Sequence, residues 1–382
     1  MRFLHTADWH LGRLFHGHSL IEDQAWVLDR LVELVREARP DAVLIAGDVY
    51  DRAVPPAEAV SLLDDTLARI VIGEGVPVVL IAGNHDSPER IGFGSRLFAG
   101  GGLTMAGRSA AEVVQAEFED AHGRVIVHAL PYTEPAVARD VLAAEVPDHA
   151  TAMRELCARA RAAHPPGARA VLLAHAFVIG GTESESERPL SVGGSGAVPA
   201  ACFDGFDYVA LGHLHRPQTV GESRIRYSGS LLKYSLSEAG HEKSVSLVEI
   251  DAQGGVTVEA VPLGARHDLR RIKGELAALV AAGEADPARE DYVFATLTDP
   301  GALLDPVARL REVYPNVLGC ERSVLLAAGG AQVARARQRE LDVSALFDDF
   351  FHEVTGESLD DAARHAVEEV LEEAERDGRE SQ

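Results

Sequence analysis

Five short apolar runs, each closed by a turn signal and followed at once by polar residues able to hold metal, constrain this chain more than any other feature. Phe3 and Leu4 precede Thr6, Ala7, Asp8, Trp9 and His10; residues 42–46 precede Gly47 and Asp48; residues 76–82 precede Gly83, Asn84, His85 and Asp86. Residues 170–174 lead into His175, and 208–211 into Gly212, His213, Leu214 and His215. Runs this short and rich in Val, Ile and Leu read as buried strands. The amphipathic stretches 25–39 and 57–72 between the first three supply helices, which is the α/β alternation. Sites in open α/β sheets gather at the carboxyl ends of strands, so the five polar ends are expected to converge on one edge.

The residues at those ends are Asp8, His10, Asp48, Asn84, His175, His213 and His215, with His85 adjacent. Carboxylate, imidazole and amide together suit hard and borderline divalent ions such as manganese, magnesium, iron or zinc. The i, i+2 pairs Asp8/His10 and His213/His215 point two side chains to one side if the backbone there stays extended. Two such pairs can embrace a binuclear centre, and Gly47 allows the sharp turn that lets Asp48 bridge two ions. Two divalent ions against two carboxylates leave net positive charge to meet a phosphodiester, and such a pair activates water as a nucleophile. His85 is placed to protonate the leaving oxygen or to stabilise transition-state charge. Asp86 is expected to orient His85, and Asp51 completes a G-D-x-x-D pattern from the surrounding layer. His5, His16, His18 and His128 are read as structural. Arg90, Arg216 and Lys233 are candidates for positioning a nucleic-acid strand through phosphate contacts, or else ordinary surface charges.

At 382 residues with 46% hydrophobic content, the chain has room for two or three domains. Its formal net charge of −24 excludes a chain-wide basic surface, so a nucleic-acid partner would need a local device such as bound metal or another subunit. Cys157, Cys202 and Cys320, without C-x-x-C spacing, read as inert core thiols in a reducing compartment. The acid and histidines among the first ten residues interrupt any secretory signal, and no apolar run approaches the length of a membrane span, so a cytoplasmic location is expected.

Segment 183–199, rich in Ser, Glu and Gly, reads as a long loop that is either solvated or in contact with substrate. Strands over 224–227, 244–250 and 256–262 would finish the sheets. Next come a helix over 269–282, a strand over 292–298, a helix over 306–314 and a strand over 317–321, which form a small α+β module. The strongly acidic stretch 335–382 fits two helices, the first with an apolar stripe that includes Leu346, Phe347, Phe350 and Phe351. A hairpin folded back on its own domain and a partner-binding hairpin both suit that stripe.

The strings LHTADWHLG (4–12), AGDVYDR (46–52), AGNHDS (82–87), FDYVALGHLHRP (206–217) and YSGSLLKYS (227–235) resemble those of the calcineurin-like metallophosphoesterases, and within them the SbcD family of nuclease subunits. The resemblance runs from residue 1 to about 275, and more weakly to the end. It implies an α/β fold, a four-layer α-β-β-α sandwich, as a nuclease domain over 1–266. A capping domain over 267–330 follows, and then a helical region over 335–382 that docks on an SbcC-type ATPase through Leu346, Phe347, Phe350 and Phe351. It also implies two manganese ions, one held by Asp8, His10, Asp48 and His215 and the other by Asp48, Asn84, His175 and His213, with His85 as the catalytic histidine. A homodimer acting as exonuclease and endonuclease on duplex ends, hairpins and single strands in repair and recombination is the implied assembly. Two alternatives stand beside it: a phosphodiesterase or phosphatase for a small substrate, and a scaffold that has lost activity.

Overall fold

The computed structural model describes residues 1–190, 196–300, 303–323 and 363. The proposed docking residues Leu346, Phe347, Phe350 and Phe351, the helices expected over 335–382 and the end of the expected cap lie outside the described residues.

Two six-stranded sheets face each other. The first runs in the order Val256–Val261, Val245–Ile250, Arg2–Thr6, Ala42–Ile45, Val78–Ile81 and Leu103–Ala106, its last four strands parallel. The second runs Gln218–Val220, Glu222–Tyr227, Tyr208–Gly212, Arg169–His175, Gly123–Leu130 and Val114–Asp120, parallel through its centre. Alternation along each strand sends successive side chains to opposite faces, and here both faces are buried, which is why the strands read as unbroken apolar runs. Phe3, Leu44, Val79, Val171, Leu173 and Tyr208 pack between the sheets. Leu4, Val43, Ile45 and Leu80 point the other way, onto Val27, Leu28, Leu31 and Val35 of the helix Ile21–Ala38. On the far side, Leu172, Val209 and Leu211 meet Ala152, Leu156 and Ala160 of the helix His149–Ala162. The result is the four-layer α-β-β-α sandwich.

Two sequence expectations shift at their edges. The first helix begins at Ile21, one turn ahead of the expected start, because Gln24 in that turn is buried and binds the Gly12 N–H and the His10 carbonyl of the first strand's loop. The second ends as regular helix at Ala68 and continues as a wider turn over Arg69–Gly73. A third is overturned: 269–282 is not one helix. Leu269–Gly274 is a strand, with alternating burial and parallel pairing to Tyr292–Leu297, and only Leu276–Gly283 is helical. Pairing with a neighbouring strand outweighs local helix preference there.

That strand opens a three-stranded parallel sheet, Leu269–Gly274, Tyr292–Leu297 and Val317–Arg322, with its own core around Leu279, Val293, Leu297, Leu310 and Tyr314. It is fastened to the sandwich. Leu269 and Tyr292 join the first sheet's core, the Tyr292 hydroxyl donates to Asp23 at 2.8 Å, and Lys233 pairs with Asp268 at 2.8 Å. Among the described residues no helix is long and apolar enough to cross a membrane.

His5 joins the two sheets, its Nδ1 2.9 Å from the Tyr208 hydroxyl and its Nε2 3.1 Å from the Leu211 carbonyl oxygen. Full burial pushes its pKa down to about 3. The unfolded chain takes up a proton at this residue near pH 6.5, which the folded protein refuses until about pH 3, so this contribution is complete above 6.5 and is lost as pH falls through that window. On acidification from about pH 7.5 to about pH 5, His5→Asn should therefore lose about 2 kcal/mol less stability than wild type. Urea unfolding at both pH values reads this difference, and equal losses would contradict it.

Candidate metal centre

The polar ends of Arg2–Thr6, Ala42–Ile45, Val78–Ile81, Arg169–His175 and Tyr208–Gly212 meet where the two sheets adjoin. Ligand-bearing atoms of Asp8, His10 and His215 lie within 4.8 Å of one another, and so do those of Asp48, His175 and His213. Asp48 Oδ2 stands between the groups, 3.8 Å from His10 Nε2 and 3.5 Å from His175 Nε2. Asn84 Oδ1 is 2.9 Å from His175 Nε2 and 3.2 Å from His213 Nδ1. A third grouping brings His10, Asp51 and His85 together.

The backbone here is not extended, the condition on which the i, i+2 spacing would point each pair to one side. Asp8, His10 and Asp48 sit at φ of 54°, 47° and 47°, and His213 at 110°. Left-handed backbone at non-glycine residues costs free energy and persists only where surrounding contacts hold it. Here two loops are zipped together by hydrogen bonds from the N–H groups of Asp8, His10 and Leu11 to the carbonyls of Gly47, Asp48 and Val49, at 3.0, 3.0 and 2.9 Å. The Asp8 carboxylate also accepts the His213 N–H at 2.9 Å, which ties the first sheet to the second. Gly47, at φ 88°, packs so closely that a Cβ would stand 2.6 Å from His175 Nδ1.

Electrostatics make this a place for cations. Burial and then the charge of Asp48 push the Asp8 carboxyl well above its usual range. Burial holds His10, His175 and His213 below the ordinary imidazole value, aided at His10 by neighbouring His215 and His85, so they offer lone pairs instead of charge. His175 Nδ1 donates to the Ala46 carbonyl at 2.8 Å, which leaves Nε2 free to coordinate. Two imidazole nitrogens, His10 Nε2 and His215 Nε2, face each other at 3.0 Å and need a shared proton or a cation between them. His10 Nδ1 is buried without a hydrogen-bond partner. The donor set fits divalent ions.

His85 lies beside the cluster, its ring 4.8 Å from that of His10 and edge-on. Its Nδ1 donates to the Asp51 carbonyl at 2.8 Å. The Asp51 carboxylate in turn accepts from Arg13 at 2.9 Å and stands 3.6 Å from His10 Nδ1. Asp86 does not orient His85, contrary to expectation. Its carboxylate accepts the N–H groups of Val49, Tyr50 and Gly83 at 3.1, 2.9 and 2.9 Å, pinning the Asp48 loop to the Asn84 loop. Burial and the nearby Asp48 raise its pKa to about 7 against those three donors.

Of the proposed substrate contacts, Arg90 and Arg216 are exposed, Arg90 on the short helix Pro88–Ile91 and Arg216 next to His215. Lys233 is a correction. It is 10% exposed and spends its donors on Asp268 and the Ala239 and Leu269 carbonyls, so it fastens the cap and does not face a substrate. The motifs missed Arg13, Ser186, Glu187, Glu238 and Lys243, the last four of which surround His215. Burial alone would raise Glu238, but bonds with His215 and Lys243 hold its carboxyl well below the usual range. Its one sequence signal is an acid three residues past YSGSLLKYS. Ser186 and Glu187 belong to the loop of undecided role, and this part of it folds inward onto His215.

Residues 1–217 match the family model of the calcineurin-like phosphoesterases, and residues 265–355 match that of the type 5 capsule protein repressor C-terminal domain. The SbcD subunit of nuclease SbcCD from Staphylococcus saprophyticus is 32% identical over 379 residues, covering 97% of this chain and 98% of that protein. Among solved structures, a Thermus thermophilus protein is similar at 15% identity and TM-score 0.40, covering 69% of this chain and 99% of that one. A dimetal phosphatase from Danio rerio is similar at 14% identity and TM-score 0.41, covering 69% and 96%. The chain belongs to the calcineurin-like phosphoesterases.

Proposed function

We propose that this chain is a metal-dependent DNA nuclease, the nuclease subunit of a complex with an SbcC-type ATPase, acting as exonuclease on double strands and as endonuclease on single strands in the processing of hairpins and DNA ends. The observation that carries the reading is the likeness to the SbcD subunit of nuclease SbcCD, which extends past the phosphoesterase region through the cap. A phosphatase of small substrates would account for residues 1–217 alone. The divisions we propose are a nuclease domain over 1–266, a cap over 267–330 and an ATPase-docking region over 335–382, with a cytoplasmic, nucleoid-associated location.

Asp8, His10, Asp48 and His215 would hold one divalent ion and Asp48, Asn84, His175 and His213 the other, manganese being our choice. When bound, the ions polarise the phosphoryl group and supply activated water. The chain's own residues do the rest. Asp48 would serve both positions from the middle of the cluster; the carbonyl of Asp51 holds the Nδ1 proton of His85 and so orients the ring, and in its imidazolium form, with a second proton on Nε2, His85 would hand that second proton to the departing oxygen. Deep burial of His10, His175 and His213 keeps these imidazoles neutral and available as ligands. Arg90 and Arg216, exposed on this side of the sandwich, are proposed to steer the DNA strand.

An apolar groove of about 650 Å³ between the second helix and segment 90–105 supports the homodimer. Phe93, Leu97 and Ile72 stand at its rim 79%, 84% and 83% exposed, an arrangement that favours covering by a second copy of the same surface.

His85→Ala should lower phosphodiester hydrolysis by about 100-fold or more, while elemental analysis finds metal content nearly unchanged; loss of metal would make His85 a ligand. Leu97→Asp should convert a dimer to a monomer by light scattering without loss of folding, and an unchanged mass would refute the groove as the contact. Deleting 335–382 should leave hydrolysis of a chromogenic phosphodiester intact and abolish capture of the ATPase; retained capture would sink the docking assignment.

A further inference from the structure

Every polar atom of His215 except Nε2 is held by the protein. Its N–H donates to Glu187 Oε1 at 2.7 Å, and its carbonyl accepts from Lys243 Nζ at 2.8 Å and from the Ser230 N–H at 3.2 Å. Its Nδ1 lies 2.7 Å from Ser186 Oγ and 3.3 Å from Glu238 Oε1. Proton counting around Nδ1 admits one arrangement. The Ser186 hydroxyl has a single proton and directs it, in a short contact, to Glu238 Oε1. A hydroxyl that has given its proton away can only accept, and a carboxylate has none to give. The imidazole proton must then sit on Nδ1, and Nε2 turns its lone pair toward His10.

Glu238 is fully buried, and such a carboxylate needs an equally buried partner. Lys243 Nζ supplies it at 2.5 Å from Glu238 Oε2, with further bonds to the Ser230 hydroxyl and the His215 carbonyl, both at 2.8 Å. The 3-10 turn Leu236–Glu238 brings the carboxylate into place, with the Ser235 hydroxyl donating to it at 3.1 Å. Two segments, Ser186 with Glu187 and residues 230–243, thus meet on one histidine.

We propose that Glu238, paired with Lys243 and acting through Ser186, is a positioning residue that fixes the tautomer and ring orientation of His215, and through them the affinity of the ion His215 serves. The proposal rests on the metal-centre reading.

Changing Glu238 alone would leave the Lys243 charge buried and unpaired and would destabilise the fold whatever its role. The decisive variant is Glu238→Leu with Lys243→Met, which removes both charges. Its thermal midpoint should stay near that of wild type. Calorimetric titration of the metal-free protein with manganese should show one of two binding events weakened about 10- to 100-fold, and nitrogen-15 spectra should show His215 shifting its proton from Nδ1 toward Nε2. Ser186→Ala, on a half-buried loop position, should move both readouts the same way and serves if the double variant does not fold. Two-site binding in wild type with unchanged affinity in the variants would overturn the positioning role alone. No manganese binding by wild type would overturn the metal-centre reading and this proposal with it.

Discussion

Two carboxylates, Asp8 and Asp48, are buried at the joint of two sheets among neutral imidazoles, and no basic side chain touches either of them among the described residues. Burying an ionised carboxylate without a counter-charge costs several kcal/mol, so the group either takes up a proton or recruits a cation. The raised pKa of Asp8 expresses the first choice and the surrounding lone pairs of His10, His175 and His213 enable the second. Much of the neighbouring structure exists to hold this unfavourable arrangement together. Asp86 gives its carboxylate to three loop amides, Gly47 admits His175 at close range, and His213 hands its N–H to Asp8 across the sheets.

The sandwich makes that tolerance feasible. Both sheets are buried on both faces, so the strand ends are anchored by cores on either side and their loops have little freedom to relax. Rigid anchoring is what lets four site residues remain at positive φ. The cap adds a contact at some distance: Lys233 and Tyr292 bind it to the sandwich beside the segment that carries Glu238 and Lys243. The grip on His215 and the seating of the cap therefore share one stretch of chain.

How much of this was legible in the sequence follows from range. The five strand ends stood out because a doubly buried strand is an uninterrupted apolar run, and the polar residue that breaks it is conspicuous. His85 could be singled out because Asn84 beside it already filled the role of ligand. The local backbone could not be read: nothing in D-x-H distinguishes extended from left-handed geometry, and only Gly47 hinted at a turn. The role of Asp86 is hidden in the sequence because two of its partners, the main-chain amides of Val49 and Tyr50, belong to another loop 37 and 36 residues away. Glu238 escaped for the same reason, since a lone acid in a serine-rich segment shows its importance only once burial and the contacts to Ser186 and Lys243 are known. Segment 269–274 looked helical because its strand pairing lies with residues 292–297, beyond any local window.

On the proposed function, this site hydrolyses the DNA backbone and an ATPase partner extends its reach. Cleavage of end-labelled duplex and single-stranded DNA by the purified chain, in manganese and in magnesium, with and without an SbcC-type ATPase and ATP, tests it most directly. Manganese-dependent cleavage that the ATPase and ATP extend along duplex DNA is the expected result. Hydrolysis of a small phosphodiester with no DNA cleavage under any of these conditions would contradict it.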